Sequence, residues 1–323
     1  METIASTNTA HSRKKSLKKH WEEFKRQQTL QLMVLPWIIF IVIFSYVPMY
    51  GLLMAFQDYR LADIPGFSAW VGLKHFNMLF QNTEFIHVIE NTLGISLLKL
   101  LICFPAPIIL ALLLNEVKSM AFKRTVQTVS YLPHFVSWVV VAGLTLDILN
   151  PSGGILNQIL LQLHIISKPI LFIGEPKYFW NIVISTDLWK EIGWNAIIYI
   201  AAIASIDPEL YQAAEVDGAG RFSKMWHITL PSIRPTIIIL LILAISNLLN
   251  AGFEQILLLT NNMTNTMVRS TADVIDTYVY RVGIQQMRYS YATAAGLFRS
   301  VVSIVLLTLA NLTARKTTEE SLW

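Results

Sequence analysis

Leu210 to Pro235 reads LYQAAEVDGAGRFSKMWHITLPSIRP, a short polar insert between two long apolar runs. Asp207, just before it, is a good N-cap, and Pro208 suits the first helical position, where no N–H is needed. Glu209 then falls in the first turn, near the positive end of the helix dipole. Leu210, Ala213 and Ala214 recur at helical spacing, with Tyr211 beside them. Gly218 and Gly220 stop the helix, because glycine adopts left-handed backbone at little cost. The pattern predicts a short helix, a sharp turn and a second short segment from about Phe222 to Thr229. Pro231 and Pro235 set the entry to the next apolar run. Small side chains at Ala213 and Ala214 leave room for another surface to approach. On this chemistry alone, a plain re-entry loop with nothing bound fits equally well.

The runs on either side set the class. The chain is 54% hydrophobic and 14% charged, where a soluble domain carries roughly 25% charged residues. Several apolar stretches reach the ~20 residues that cross a bilayer. We expect an all-α polytopic membrane protein with six spans, at roughly 30–56, 87–114, 126–149, 181–206, 235–258 and 291–312. Residues 1–29 form a basic tail, 30–315 one transmembrane domain with its core at about 87–312 and a polar loop at 207–235, and 316–323 a short second tail. Pro105 and Pro107 should bend the second span and Pro133 the third. Between spans three and four a short amphipathic helix is expected around Ile155–Leu163.

An even number of spans puts both termini on one side, and lysine and arginine decide which. One side holds the segment HSRKKSLKKHWEEFKR from His11 to Arg26, then Lys118, Lys123, Arg124, Arg221, Lys224, Arg234, Arg315 and Lys316. The other holds Arg60, Lys74, Lys168, Lys177, Arg269, Arg281 and Arg288. The first side is therefore expected to be cytoplasmic, and the 207–235 loop falls there. The N-terminal segment reads as a tail whose charge fixes that end inside, or as an amphipathic helix on the anionic inner leaflet. About 29 polar residues ahead of the first apolar run do not make a cleavable signal peptide. The net charge of +4 belongs to these topology signals and implies no nucleic-acid partner. Cys103 is the single cysteine, so no intrachain disulfide or cysteine metal cluster is available, and it reads as a small core residue.

The order Gln212-Ala213-Ala214, three residues, Gly218, nine residues, Ile228-Thr229-Leu230-Pro231 resembles the signature loop of bacterial ABC-importer permeases. Gln212 stands where that family usually has Glu; the rest fits without insertion or deletion. Further segments resemble the carbohydrate-uptake branch, its oligosaccharide (LplB-like) group. These are Leu132-Pro133-His134-Phe135 with Ser137-Trp138, Leu188 to Asn195, Asp276 to Arg281 and Gly296 to Ser300. The resemblance implies a type I permease fold in the bacterial plasma membrane. It also implies a half-transporter for an oligosaccharide or related complex sugar, completed by a second, similar permease. Two cytosolic ATPase subunits would dock at Leu210, Gln212, Ala213, Ala214, Asp217, Gly218, Ala219, Leu230 and Pro231, and an extracytoplasmic sugar-binding protein would deliver substrate. ATP and Mg would then belong to the partner subunits, with no cofactor on this chain. The sequence holds no Gly-x-x-x-x-Gly-Lys-Ser/Thr motif with which to bind ATP itself.

Polar residues inside the spans are costly and usually face a bundle interior or a wet cavity. Asp187, Glu191, Asn195 and Tyr199 recur every four residues in the fourth span, with Trp194 beside them. Asn247, Asn250 and Glu254 are expected to make a second stripe in the fifth, and Thr92, Ser96 and Lys99 a third in the second. Such stripes suit a hydrophilic path for hydroxyl-rich substrate, and equally suit hydrogen bonding and ion pairing between helices. Lys99 and Arg299 read as buried partners of Glu191 or Glu254. The lone histidines His134 and His227 have no second ligand at metal spacing, so no metal site is assigned. Two rivals remain. A self-sufficient secondary sugar transporter would be expected to show inverted repeats and a coupling-ion site at broken helices, and neither is visible in the sequence. A membrane-embedded enzyme needs a convergent nucleophile or metal constellation, which is also absent.

Overall fold

The computed structural model describes residues 26–60 and 66–318. The expected basic N-terminal segment, save Arg26, and residues 319–323 of the short C-terminal tail lie outside the described residues. Helices are the regular secondary structure of those residues, joined by irregular connections, and one isolated bridge pairs Gln57 with Trp70.

The first apolar run forms α1 (Gln28–Phe56). A π turn at Val42–Tyr46 precedes Pro48. It widens the helix where the proline ring would strike the carbonyl four residues back. After α2 (Lys74–Gln81), α3 (Thr83–Ile102) starts on Asn82, whose Oδ1 accepts from the Glu84 N–H at 2.9 Å. At Cys103 and Phe104 both N–H groups turn back to the Lys99 carbonyl, and α4 (Pro105–Glu116) resumes with proline in its first position. Together α3 and α4 make the second span, interrupted where the prolines predict.

The third span bends at Pro133 as expected, but as a sharp corner. It consists of α5 (Met120–Tyr131), a tight turn through Pro133 to Phe135, and α6 (Trp138–Ile148), bent from the first part by 101°. Val136 is extended, and Ser137 caps α6 from outside the helix. Then follow α7 (Ile155–Gln162) and the 29-residue α8 (Pro176–Ala204), about 43 Å long at 1.5 Å per residue. The polar loop holds α9 (Pro208–Val216), and α10 (Arg221–Ser232) leads into α11 (Arg234–Ser246) through a 60° bend. The fifth span was expected to run to residue 258 as one helix. It stops at Ser246, passes through irregular backbone at 247–252, and restarts as α12 (Phe253–Leu259). Gly252, at φ +100°, makes the restart feasible. Then come α13 (Arg269–Ala272), α14 (Ile275–Tyr280) and the long α15 (Tyr289–Thr318).

Among the described residues, α1, the α3–α4 pair and α15 are long and apolar enough to span, and the bent pairs α5–α6 and α10–α11 raise the number to five. The remaining long helix, α8, has the length but carries Asp187, Lys190 and Glu191. It is the hub of the packing. Ala196 and Tyr199 meet Ala111 of α4, and Phe179 and Val183 meet Ile256 of α12. Gly193 marks a close approach to another helix: a Cβ there would lie 2.1 Å from the Ser130 carbonyl oxygen of α5. A second core joins Phe85 of α3 to Tyr278 of α14 and Tyr291 of α15. By contrast, the apolar window of α1 contributes no buried side chain.

Candidate functional sites: an exposed loop and a polar cavity

In the 207–235 loop, Asp207 Oδ1 accepts from the Glu209 N–H at 2.9 Å and caps α9 as the sequence predicts. Ala219 N–H returns to the Ala214 carbonyl at 2.8 Å, closing the turn around Gly218, whose φ is +77°. A Cβ at Gly218 would meet nothing within 4 Å, so backbone conformation alone selects glycine there. Gly220, at φ −72°, needs no such freedom and serves as the N-cap of α10. The second segment runs past Thr229 to Ser232, because a π turn at Met225–Thr229 accommodates Pro231 as the first π turn does Pro48. Tyr211 and Thr229 hold the two arms together by a 2.9 Å hydroxyl contact. Leu210, Gln212, Ala213, Asp217, Gly218 and Pro231 are exposed, while Ala214, Ala219 and Leu230 are half-buried in the hinge. Val216 and Phe222 are 88% and 83% exposed. This is apolar surface that none of the described residues covers.

The other site is an open cavity in the bundle, with Asn195, Asn247 and Asn250 all exposed on its wall. Asn195 of α8 and Asn247 of the 247–252 break line two adjoining cavities of about 220 and 240 Å³. Asn250, Ser96 and Lys99 complete the wall of the first, and Tyr199 joins the wall of the second. Four of the seven residues expected on a path are thus brought together. Asn247 and Asn250 face one cavity although they share no helix, so the expected 247/250/254 helical stripe is corrected: Asn250 N–H closes a tight turn on the Asn247 carbonyl at 2.8 Å. Glu254 sits in the first turn of α12, exposed and with no side-chain partner among the described residues.

Glu191 and Trp194 turn to the α5–α6 corner instead. Glu191 Oε2 lies 2.7 Å from His134 Nδ1, and the His134 ring stacks on Trp194 at 4.2 Å. Lys190 Nζ donates to the His134 carbonyl at 2.6 Å and to Glu191 Oε1 at 3.1 Å. No spacing rule finds a pair 57 positions apart. The only signal for His134 was its place in a resembling segment. The expected partners of the two buried cations are corrected too. Lys99 Nζ meets Asp187 Oδ1 at 3.0 Å and Gln255 Oε1 at 3.1 Å, and Arg299 meets Asp276 Oδ1 at 2.6 Å. In the 261–290 connection Arg281 binds Asp273 at 2.5 Å and Glu84 at 2.7 Å. Burial pushes the Asp273 carboxyl above its ordinary value, against the pull of Arg281. Cys103, expected as a core filler, lines both cavities. Among the described residues no three His, Cys, Asp or Glu gather to hold a metal ion.

The described residues form interrupted spans and an exposed turn-helix loop, an arrangement that fits an importer permease. The chain belongs to the family described as the binding-protein-dependent transport system inner membrane component, which matches residues 104–319. It is similar to Protein LplB of Bacillus subtilis (strain 168), at 47% identity over 93% of this chain and 92% of that one. It is also similar to the Polygalacturonan/rhamnogalacturonan transport system permease protein YteP of the same organism, at 46% over 92% and 91%. A crystal structure of a bacterial ABC transporter involved in the import of the acidic polysaccharide alginate superposes with TM-score 0.85 at 45% identity, covering 93% of this chain and 99% of that one. A second, of the alginate transporter in complex with an alginate pentasaccharide-bound periplasmic protein, gives the same score and identity over 94% and 99%. The chain is thus a multi-pass inner-membrane permease with the type I importer fold.

Proposed function

We propose that the chain is the membrane-spanning subunit of an ATP-driven importer for an oligosaccharide, delivered from outside by a sugar-binding protein. A second permease completes the pore. Two cytosolic ATPase subunits, which hold the ATP and Mg, seat on the exposed face of α9 around Gln212, Ala213 and Gly218. Both termini lie in the cytosol. The path runs past Asn195, Tyr199, Asn247 and Asn250, and this chain makes no covalent change to its substrate.

The observation that carries the path is the break at 247–252. Non-helical backbone at membrane depth survives only where protein buries it or a water-filled cavity solvates it. Here it opens onto a cavity walled by three asparagine amides, which suit sugar hydroxyls because each amide both donates and accepts. Broken spans also occur in self-sufficient secondary transporters, so the break does not separate the two readings. Family membership and the exposed loop favour the importer. Single cysteines at 247 and 250, in a background lacking Cys103, test the path. Water-soluble thiol reagents should reach both positions, and substrate should alter their rates. Labelling only by lipid-soluble reagents would assign these residues to helix packing.

A further inference from the structure

Ser96 and Lys99 lie three residues apart on α3, and both enter the wall of the 220 Å³ cavity. Ten described residues line it, and Lys99 is the one that carries a charge. The ammonium is held firmly. Gln255 donates to the Val183 carbonyl at 2.7 Å and to Thr186 Oγ1 at 2.6 Å, which aims its own oxygen at Lys99. Asp187 of α8 takes a second bond. Gly252, at the break, leaves room: a Cβ there would lie 2.9 Å from Lys99 Nζ. An ammonium has three donors, and these contacts use two. The Lys99 side chain remains 14% exposed. Beside it Ser96 is 4% exposed, and its Oγ finds no partner among the described residues. A spare cationic donor and an orphaned hydroxyl thus stand together in the wall of one cavity.

We propose that Lys99 is a specificity-determining residue which receives a sugar carboxylate, with Ser96 donating a second hydrogen bond, so that the substrate is an anionic, uronate-containing oligosaccharide. This rests on the oligosaccharide-import reading above. A hydroxyl oxygen would also accept from the free donor, but a carboxylate adds attraction between opposite charges, and its two acceptor-only oxygens match the two donors, the ammonium and the Ser96 hydroxyl. Asp187 keeps the lysine neutralised while the cavity is empty. The carboxylate therefore meets a shallow well, which a passing substrate must be able to leave.

The test uses cells whose own copy of the chain is replaced, leaving the rest of the transporter intact. The probes are oligosaccharides from partial digests of polygalacturonan and alginate, and the same mixture after reduction of its carboxyl groups. The readout is the ratio of charged to neutral uptake. In Lys99→Gln that ratio should fall about 10- to 100-fold relative to the unaltered chain, the span of one lost hydrogen bond to a charged group. Lys99→Arg should restore most of it. Lys99→Gln combined with Asp187→Asn leaves no stranded carboxylate in the bundle, and should show the same fall if the single variant fails to assemble. If both uptakes drop in parallel with the ratio unchanged, Lys99 is a packing partner of Asp187 and the inference is overturned. If the unaltered chain carries only the reduced sugars, the inference falls while the importer reading stands. If it carries neither mixture, both fall.

Discussion

Gly218 and Gly193 stand in two regions built on opposite terms. Gly218 turns the exposed loop between α9 and α10, where a side chain would meet nothing and only the left-handed backbone demands glycine. Gly193 lies inside α8 in ordinary helical backbone, and there a single added carbon would collide with the Ser130 main chain. The loop is specified by local chemistry, and a partner must supply what it lacks. The α8 region is specified by other helices, and it supplies its own partners. On the proposed function, the first region serves recognition from outside, and the second lines a cavity that forms only once the bundle is assembled.

The comparison is broken most directly by placing a methyl group at each glycine. Gly193→Ala forces α8 and α5 apart, at a cost of about 3 kcal/mol for overpacking against backbone. The amount of protein recovered from membranes, and its thermal midpoint in detergent, should drop sharply. Unchanged values would mean the crossing can slide. Gly218→Val places a β-branched residue in left-handed backbone, costing about 1–3 kcal/mol, and the cost stays within the loop. Recovery should be normal while uptake falls, so normal uptake at normal recovery would sink the docking role. Asn247→Leu or Asn250→Leu removes one amide from the cavity wall. Uptake should fall about tenfold, the size of one well-placed hydrogen bond, with recovery little altered; a loss of recovery instead would move these residues to the structural side. The smallest effects are expected at Gln212 and Glu254. Gln212→Glu restores the residue usual in the family. It should change substrate-stimulated ATP hydrolysis little, within about 0.5 kcal/mol, while making it more sensitive to salt. Abolition of that stimulation would put the assigned register of the loop in doubt. Glu254 is exposed and has no partner among the described residues, so Glu254→Gln should leave basal ATP hydrolysis within a similar margin. A large rise would reveal a partner on another subunit.

The two regions also differ in how far they could be read from sequence. The loop was legible almost residue by residue, because caps, glycine turns and proline positions act over three or four residues: Asp207, Gly218 and Pro235 each do what their type predicts. The spans were legible as apolar runs, but their interruptions were not. Pro105 announced one. The end of α11 at Ser246 carries no proline or glycine until Gly252, and it depends on Asn247 and Asn250 turning to a cavity lined by α3 and α8. The polar stripe on α8 was real. Its members nevertheless part company, Asp187 to Lys99, Glu191 to His134 and Asn195 to the cavity, because four residues overshoot a 3.6-residue turn by about 40° each time. Which partner each one meets depends on contacts 57 to 88 positions apart, and no local pattern encodes them.

The pairings of α8 have a direction along the chain. Asp187 and Glu191 find their cationic or imidazole partners, Lys99 and His134, in segments that the ribosome makes earlier. A helix carrying Asp187, Lys190 and Glu191 enters a bilayer unwillingly, at about 3 kcal/mol for each charge near the centre. By the time α8 emerges, Lys99, which pairs with Asp187, and His134, which hydrogen-bonds with Glu191, are already in place. The uniformly apolar α1, by contrast, needs no earlier segment and comes first. The order of synthesis thus works as an assembly sequence, and shuffling these helices would strand charges that the natural order never leaves waiting.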